Sequence, residues 1–172
     1  MTGYKKIKFF THENAGYGDV HLPEMQMHTT SFWLTLPESL VAELGLPRAQ
    51  VIAGLRGLGQ ALEAVSTLAL MCDPRDIGRT LGDGSGDGLP PARDPFAQRT
   101  GGFDPTLFRF DSIAGGVGLA PRIFARAGEL VERAARLIRQ CSCREGCPSC
   151  VGPGEGEFDS RGAALRIARA LC

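Results

Sequence analysis

Four cysteines, Cys141, Cys143, Cys147 and Cys150, fall inside the run CSCREGCPSC with the spacing C-x-C-x3-C-x2-C. Thiolates that close together point to a metal site. Zinc takes four soft ligands at tetrahedral corners about 2.3 Å from the ion, and a loop carrying Gly146 and Pro148 can turn its backbone inward to supply them. Four protein ligands leave no position for water, so such a site is closed and structural rather than catalytic. Disulfides within so short a loop would be strained and would need an oxidising compartment, and the chain opens without the charged and apolar regions of a secretory leader. A cytoplasmic location is therefore expected. An iron-sulfur cluster draws on the same thiolates and stays open as an alternative, although the ferredoxin run C-x2-C-x2-C-x3-C-P is spaced differently and Cys147-Pro148 echoes only part of it. Cys72 follows an apolar run and reads as a small buried hydrophobe, while Cys172 ends the chain and reads as the mark of a cut boundary. A hydrolase has little to stand on: His12, His21 and His28 all lie in the strand-rich region, and no nucleophile sits at a recognisable elbow.

A second set of candidate residues is basic. The chain as a whole is neutral, with 19 basic and 19 acidic residues, which removes the simplest argument for nucleic acid binding. From Pro121 onward, however, nine arginines face six acidic residues. At 100° per residue a helix starting at Pro121 and reaching Gln140 places Arg122, Arg126, Arg133 and Arg136 within an arc of roughly 80°, opposite Ile123, Leu130, Val131, Ala134 and Ile138. Glu129 lies in the same stripe. The face therefore reads either as a solvated, salt-bridged surface or as one that tracks phosphates. The turn before the helix, Asp111 to Gly118 with Gly115, Gly116 and Gly118, is a place where free N–H groups and a helix dipole can hold an anion, or where a strand simply turns sharply into a helix. It has neither the lysine of G-x-x-x-x-G-K-[ST] nor the spacing of G-x-G-x-x-G, so a nucleotide site is not expected.

The elements that must position these groups read as follows. The chain of 172 residues, 43% of them hydrophobic, suffices for one ordinary core and one domain. Ile7, Phe9 and Thr11 alternate with Lys6, Lys8 and Phe10, Asn14 to Gly18 reads as a turn, and further strands are expected at Val20 to Leu22 and Met25 to Leu36, forming an antiparallel meander. Pro37 opens a short helix ending near Gly45. Ala49 to Met71 then gives a longer helix, with Leu55, Leu58, Leu62, Val65, Leu68 and Ala69 as its apolar stripe and with Gly54, Gly57 and Gly59 requiring a close neighbour. Residues 82–105 read as a flexible loop, in which Asp83 to Asp94 imitates a calcium loop but places Pro90 and Pro91 where its pairing strand should run. Leu107 to Phe110 is a short strand. Asp159 caps a last helix from Ser160 to Leu171, so a metal in the cysteine loop would pin two helices together. No apolar run approaches the roughly 20 residues that span a membrane. The fold class expected is α/β (α+β).

The runs TLFRFDSIAGGVGLAPRIF, CSCREGCPSCVGP, YKKIKFF, LPEMQMHTTSFWLTLP and LRGLGQALEAVSTLALMCDPRDIG together resemble the C-terminal zinc-binding domain of MrfA/YprA-type DEAD/DEAH-box helicases, over nearly the whole chain. The resemblance implies that Cys141, Cys143, Cys147 and Cys150 bind zinc, and that the domain serves a bacterial, cytoplasmic, ATP-dependent helicase that moves along single-stranded DNA in DNA repair; related domains occur in phage-defence proteins. The sequence has no Walker A lysine motif, no DEAD/DEAH box and no arginine-finger motif, so alone it is not expected to be an ATPase. Two functions follow as expectations. One is an accessory domain that braces motor domains, in cis or in trans, and contacts the single-stranded DNA backbone, weakly when alone. The other is a protein-interaction module of a repair or defence complex.

Overall fold

A computed structural model describes residues 3–19, 26–82, 103–153 and 158–172. The long apolar helix organises them. It runs from Arg48 to Leu70 (α2), follows the short helix Glu38–Leu44 (α1), and is buried on several sides at once. Its three interior glycines each face a different neighbour. A Cβ on Gly54 would stand 2.6 Å from Cβ of Ala163 in the last helix, Ser160–Ala170 (α5); one on Gly57 would stand 3.0 Å from Cβ of Val151, and one on Gly59 3.0 Å from Cδ1 of Leu107. The helix propensity those glycines give up is thus exchanged for close backbone approach to a helix, a loop and a sheet. Leu55, Leu58 and Leu62 are buried as the stripe requires, whereas Leu68 is 77% exposed, because at 100° per residue it lies well off that stripe.

The strands form two sheets rather than one meander. Gly3–Ile7 (β1) pairs with Asn14–Asp19 (β2) in a two-stranded hairpin, so the glycine-containing stretch expected as a turn is itself a strand, and residues 8–13 make the reversal. Ser31–Thr35 (β3) and Ile77–Gly82 (β4) flank Thr106–Asp111 (β5) in an antiparallel sheet of order β3-β5-β4. The expectation failed because strand pairing is non-local: β3 finds its partner in β5, across the whole of α1, α2 and β4. The expected strand Val20 to Leu22 and the calcium-like run Asp83 to Asp94 lie outside the described residues. Of the loop expected at 82–105, only Gly82 and residues 103–105 fall among the described residues. Gly82 still pairs with Thr106, Phe103 is buried with Arg48 over its ring at 4.9 Å, and Asp104 accepts at 2.8 Å from the Glu38 N–H, capping α1 where Pro37 has no side-chain cap to offer.

One face of the three-stranded sheet carries Leu107 and Arg109 into the core. Arg109 is 1% exposed, and burial pushes its guanidinium below the usual range although Glu63, 3.3 Å away, opposes the shift. Arg79, opposite it on β4, shares the same carboxylate at 3.7 Å. The period of two from buried Leu107 signals this position in the sequence. β3 is an edge among the described residues, and the bonds Asp111 N–H to Thr30 and Leu36 N–H to Pro105 fix which of its peptides face inward. The backbones of Ser31, Trp33 and Thr35 consequently point away from β5, beside a groove of about 430 Å³ walled by Trp33, Pro121 and Phe124. Among the described residues no helix is long and apolar enough to cross a membrane.

Candidate metal centre

The expected single helix from Pro121 to Gln140 is two helices. Leu119–Ala125 (α3) ends at Arg126, whose φ of −120° and ψ of 19° break the ladder, and Ala127–Gln140 (α4) follows. The break lets the Arg126 guanidinium donate to the Ala69 carbonyl at 3.1 Å, satisfying an acceptor left open at the end of α2. Cys141 caps α4 in an extended conformation, its N–H still bonded to Leu137. Gly146, with φ at +134°, then turns the chain, and the N–H groups of Cys150 and Gly152 both donate to the Cys147 carbonyl, at 3.0 and 2.9 Å. That turn brings the thiols of Cys147 and Cys150, three residues apart, to within 3.6 Å of each other.

All four expected sulfurs converge. The Sγ atoms of Cys141 and Cys147 are 3.5 Å apart, those of Cys143 and Cys150 3.4 Å, and those of Cys147 and Cys150 3.6 Å, with all four within 4.8 Å of one another. Four thiolates about 2.3 Å from one ion at tetrahedral corners would lie ~3.8 Å from each other, so the set fits a single four-coordinate ion. Sulfurs this close leave room for one ion and not for irons spread among them, and the iron-sulfur alternative finds no support. Among themselves the thiols hold their protons unequally. Hydrogen bonds from the Cys143 backbone, then from the Cys143 and Cys147 thiols, bring Cys141 down to about 7, while the bond to Cys150 and burial push Cys143 up to about 12. Burial also raises Cys150. A bound metal would displace those protons, tie α4 to the loop, and add a crosslink rather than a reactive position.

The loop is anchored to the body on two sides. Cys150 and Val151 are buried in the same core as Ile138 of α4, Ile167 of α5 and Leu55 of α2. Arg161 donates to the carbonyls of Ile138 and Cys141, each at 3.0 Å, so the first turn of α5 closes the C-terminus of α4. Asp159 caps α5 as expected, accepting from Gly162 at 2.7 Å. Arg161 escaped sequence reading, because only the packed loop brings it to those carbonyls.

The candidate nucleic-acid residues fare differently. Arg126 binds Glu129 through both carboxylate oxygens at 2.8 and 2.9 Å, Arg133 reaches the same carboxylate at 2.6 Å, and Arg136 meets Glu132 at 3.1 Å. The hydrogen bond with Glu129 raises the Arg126 pKa and lowers that of Glu129. Arg122 sits on the separate helix α3 and has no ion-pair partner among the described residues. In the glycine turn the amides are already engaged. Asp111, fully buried, accepts from Val117, Gly118 and Leu119 through Oδ2 at 2.7, 2.8 and 3.2 Å and from Ala120 through Oδ1 at 2.8 Å, while Gly115 N–H donates to His28 and Gly116 N–H to Ile113. At this helix start the chain's own carboxylate accepts those N–H groups. Gly116 has a φ of +78°, and a Cβ there would stand 2.8 Å from Thr30 Oγ1 and 3.2 Å from that carboxylate, which is why glycine is needed.

Fold and site together define a mixed α/β domain built around a closed, all-thiolate metal centre. The family model described as the MrfA Zn-binding domain matches residues 58–151, from the middle of α2 to the end of the cysteine loop, and the chain belongs to that family. It is 35% identical over 151 residues to the uncharacterized ATP-dependent helicase YprA of Bacillus subtilis, covering 88% of this chain and 18% of that one. A stretch of 69 residues is 30% identical to the uncharacterized protein MJ1572.1 of Methanocaldococcus jannaschii, covering 38% of this chain and 62% of that one. The fold matches a crystal structure of the DUF1998 helicase MrfA bound to DNA with a TM-score of 0.77 and 30% identity, over 99% of this chain and 21% of that one. The chain spans about a fifth of the length of YprA and of the MrfA chain in that crystal structure.

Proposed function

We propose that this chain is a zinc-loaded accessory domain of a DNA helicase of the MrfA/YprA type, bracing motor domains and touching the backbone of single-stranded DNA in DNA repair. The observation that carries the reading is the convergence of the four cysteine sulfurs at the end of α4, in a domain whose family is described as zinc-binding. Zinc supplies a structural crosslink there. Cys141, Cys143, Cys147 and Cys150 hold it, α4 and α5 are fixed about it, and the motor rests on a rigid surface. The match to a helicase bound to DNA supports the DNA contact, and the similarity to MJ1572.1, 62% of which is aligned in only 69 residues, supports motor domains in trans as readily as in cis.

The alternative, a protein-interaction module of a repair or phage-defence complex, is favoured by one feature, the apolar groove along the free edge of β3. Elemental analysis should find one zinc per chain; zinc near zero in folded protein overturns the metal assignment. Fluorescence anisotropy with single-stranded DNA at two salt concentrations should show weak binding that falls with salt, and addition of the domain should raise unwinding by motor domains. Salt-independent binding, or none with or without motor domains, leaves the interaction module.

A further inference from the structure

The three lysines of the chain, Lys5, Lys6 and Lys8, all lie on the β1–β2 hairpin, and so do the large exposed rings Phe9, Phe10 and Tyr17. Among the described elements the hairpin stands apart: no helix, and no strand of the other sheet, makes more than marginal contact with it. Phe9 is 84% exposed, Phe10 90% and Tyr17 73%. An isolated two-stranded hairpin is marginal in water, and a cluster of bare rings at its tip serves no folded-state purpose that the described residues reveal. Its geometry is nonetheless specific. Phe9 and Phe10 meet edge to face with centroids 5.2 Å apart, so their planes stand nearly at right angles and offer ring faces in different directions. Lys5 is directly opposite Tyr17, and Lys6 lies 5.6 Å from the Tyr4 ring centroid, which itself rests on Gly18.

From this placement we infer that the β1–β2 hairpin is a binding arm for single-stranded DNA, its rings stacking on unpaired bases and Lys5 and Lys6 meeting the phosphates. The charge decides between this and an apolar protein partner. Lys8 is neutralised by Glu13 at 2.9 Å, but no carboxylate among the described residues pairs with Lys5 or Lys6; with Asp19 counted, three lysines against two carboxylates leave the hairpin at +1 in a chain that is neutral overall. Bare rings interleaved with unpaired point charges are what a single strand requires, since every base has a π-face and every linkage a phosphate. The assignment rests on the DNA contact proposed above but places it on a surface separate from the arginines of α3 and α4.

Zinc-loaded protein is titrated into a labelled oligothymidine of about 15 nucleotides, long enough for one such module. F9A/F10A should weaken binding about tenfold or more without changing its salt dependence. K5Q/K6Q should weaken it and flatten the logarithmic salt slope by about 1.4, roughly 0.7 for each phosphate contact on a single strand. A duplex of the same length should bind less well. Zinc content and melting should not move, because the core does not touch the hairpin. Hairpin variants that bind like the parent protein while Arg122→Gln weakens binding overturn the arm and leave the DNA contact standing. No binding by the parent protein at low salt sinks both. Unchanged DNA affinity with lost binding to motor domains supplied as a separate chain gives the hairpin to a protein partner and overturns the inference.

Discussion

The guanidinium of Arg161 ties the start of α5 to carbonyls at the end of α4, beside the first metal ligand. Hydrogen bonds from a charged donor are worth about 1.5 to 3 kcal/mol each when geometry is good, less where solvent competes. Arg161→Met should therefore lower stability by roughly 1 to 3 kcal/mol, with Arg161→Lys recovering part of it. The metal site provides a second readout. Thiolates bind metal and thiols do not, so acidification releases it, and a loop less well organised for the ion must yield to protons sooner. Zinc transfer to a chromophoric chelator should occur at higher pH in Arg161→Met than in the parent protein; an identical pH profile would leave Arg161 no part in shaping the site. At this scale the four cysteines were legible because their ligand chemistry and spacing are local. Arg161 and the buried Arg109–Glu63 pair were not, since their partners lie 20 or more residues away and are chosen by packing.

Among the elements, the basic helix was legible in composition but not in continuity. Periodicity drew one helix through Arg126, and the break at that residue separates Arg122 on α3 from Arg133 and Arg136 on α4. The four arginines consequently do different things. Exposed i,i+3 and i,i+4 pairs contribute a few tenths of a kcal/mol, so Arg133→Gln and Arg136→Gln should leave stability within about 0.5 kcal/mol. Arg126→Gln loses its bond to the end of α2 as well and should cost more, of the order of 1 kcal/mol. Of these four arginines, only Arg122 should on change to Gln combine unchanged melting with a reduced salt slope of DNA binding, because its charge is not already spent on a carboxylate. Equal effects of Arg122, Arg133 and Arg136 on DNA affinity would show that the glutamates release their partners to the phosphates. The hairpin and the β3–β5 pairing were hidden for another reason: strand periodicity marks a strand but carries no address for its partner.

At the scale of the whole molecule, sequence alone places the metal in a C-terminal helix pair and reads that pair as separable from the rest. The packing argues otherwise. Gly54 brings α5 against α2, Gly57 brings the cysteine loop against α2, and Gly59 brings the sheet against the same helix, so one element carries all three. Structural zinc in small finger peptides accounts for an apparent ~10 to 16 kcal/mol, comparable with the entire stability of a domain of this size. Chelation should then lower the melting of helices and sheet together, in one cooperative step. Trp33, the single tryptophan, reports on β3 and pairs with β5, the strand that Gly59 meets rather than the cysteine loop that Gly57 meets, which makes it the useful probe. After complete removal of zinc, the midpoint from Trp33 fluorescence should coincide with that from helical circular dichroism, both below the zinc-loaded value. A helical signal that melts early while Trp33 holds its native emission would mean that the sheet keeps a core of its own, and that the three glycine contacts along α2 do not transmit the loss of the metal.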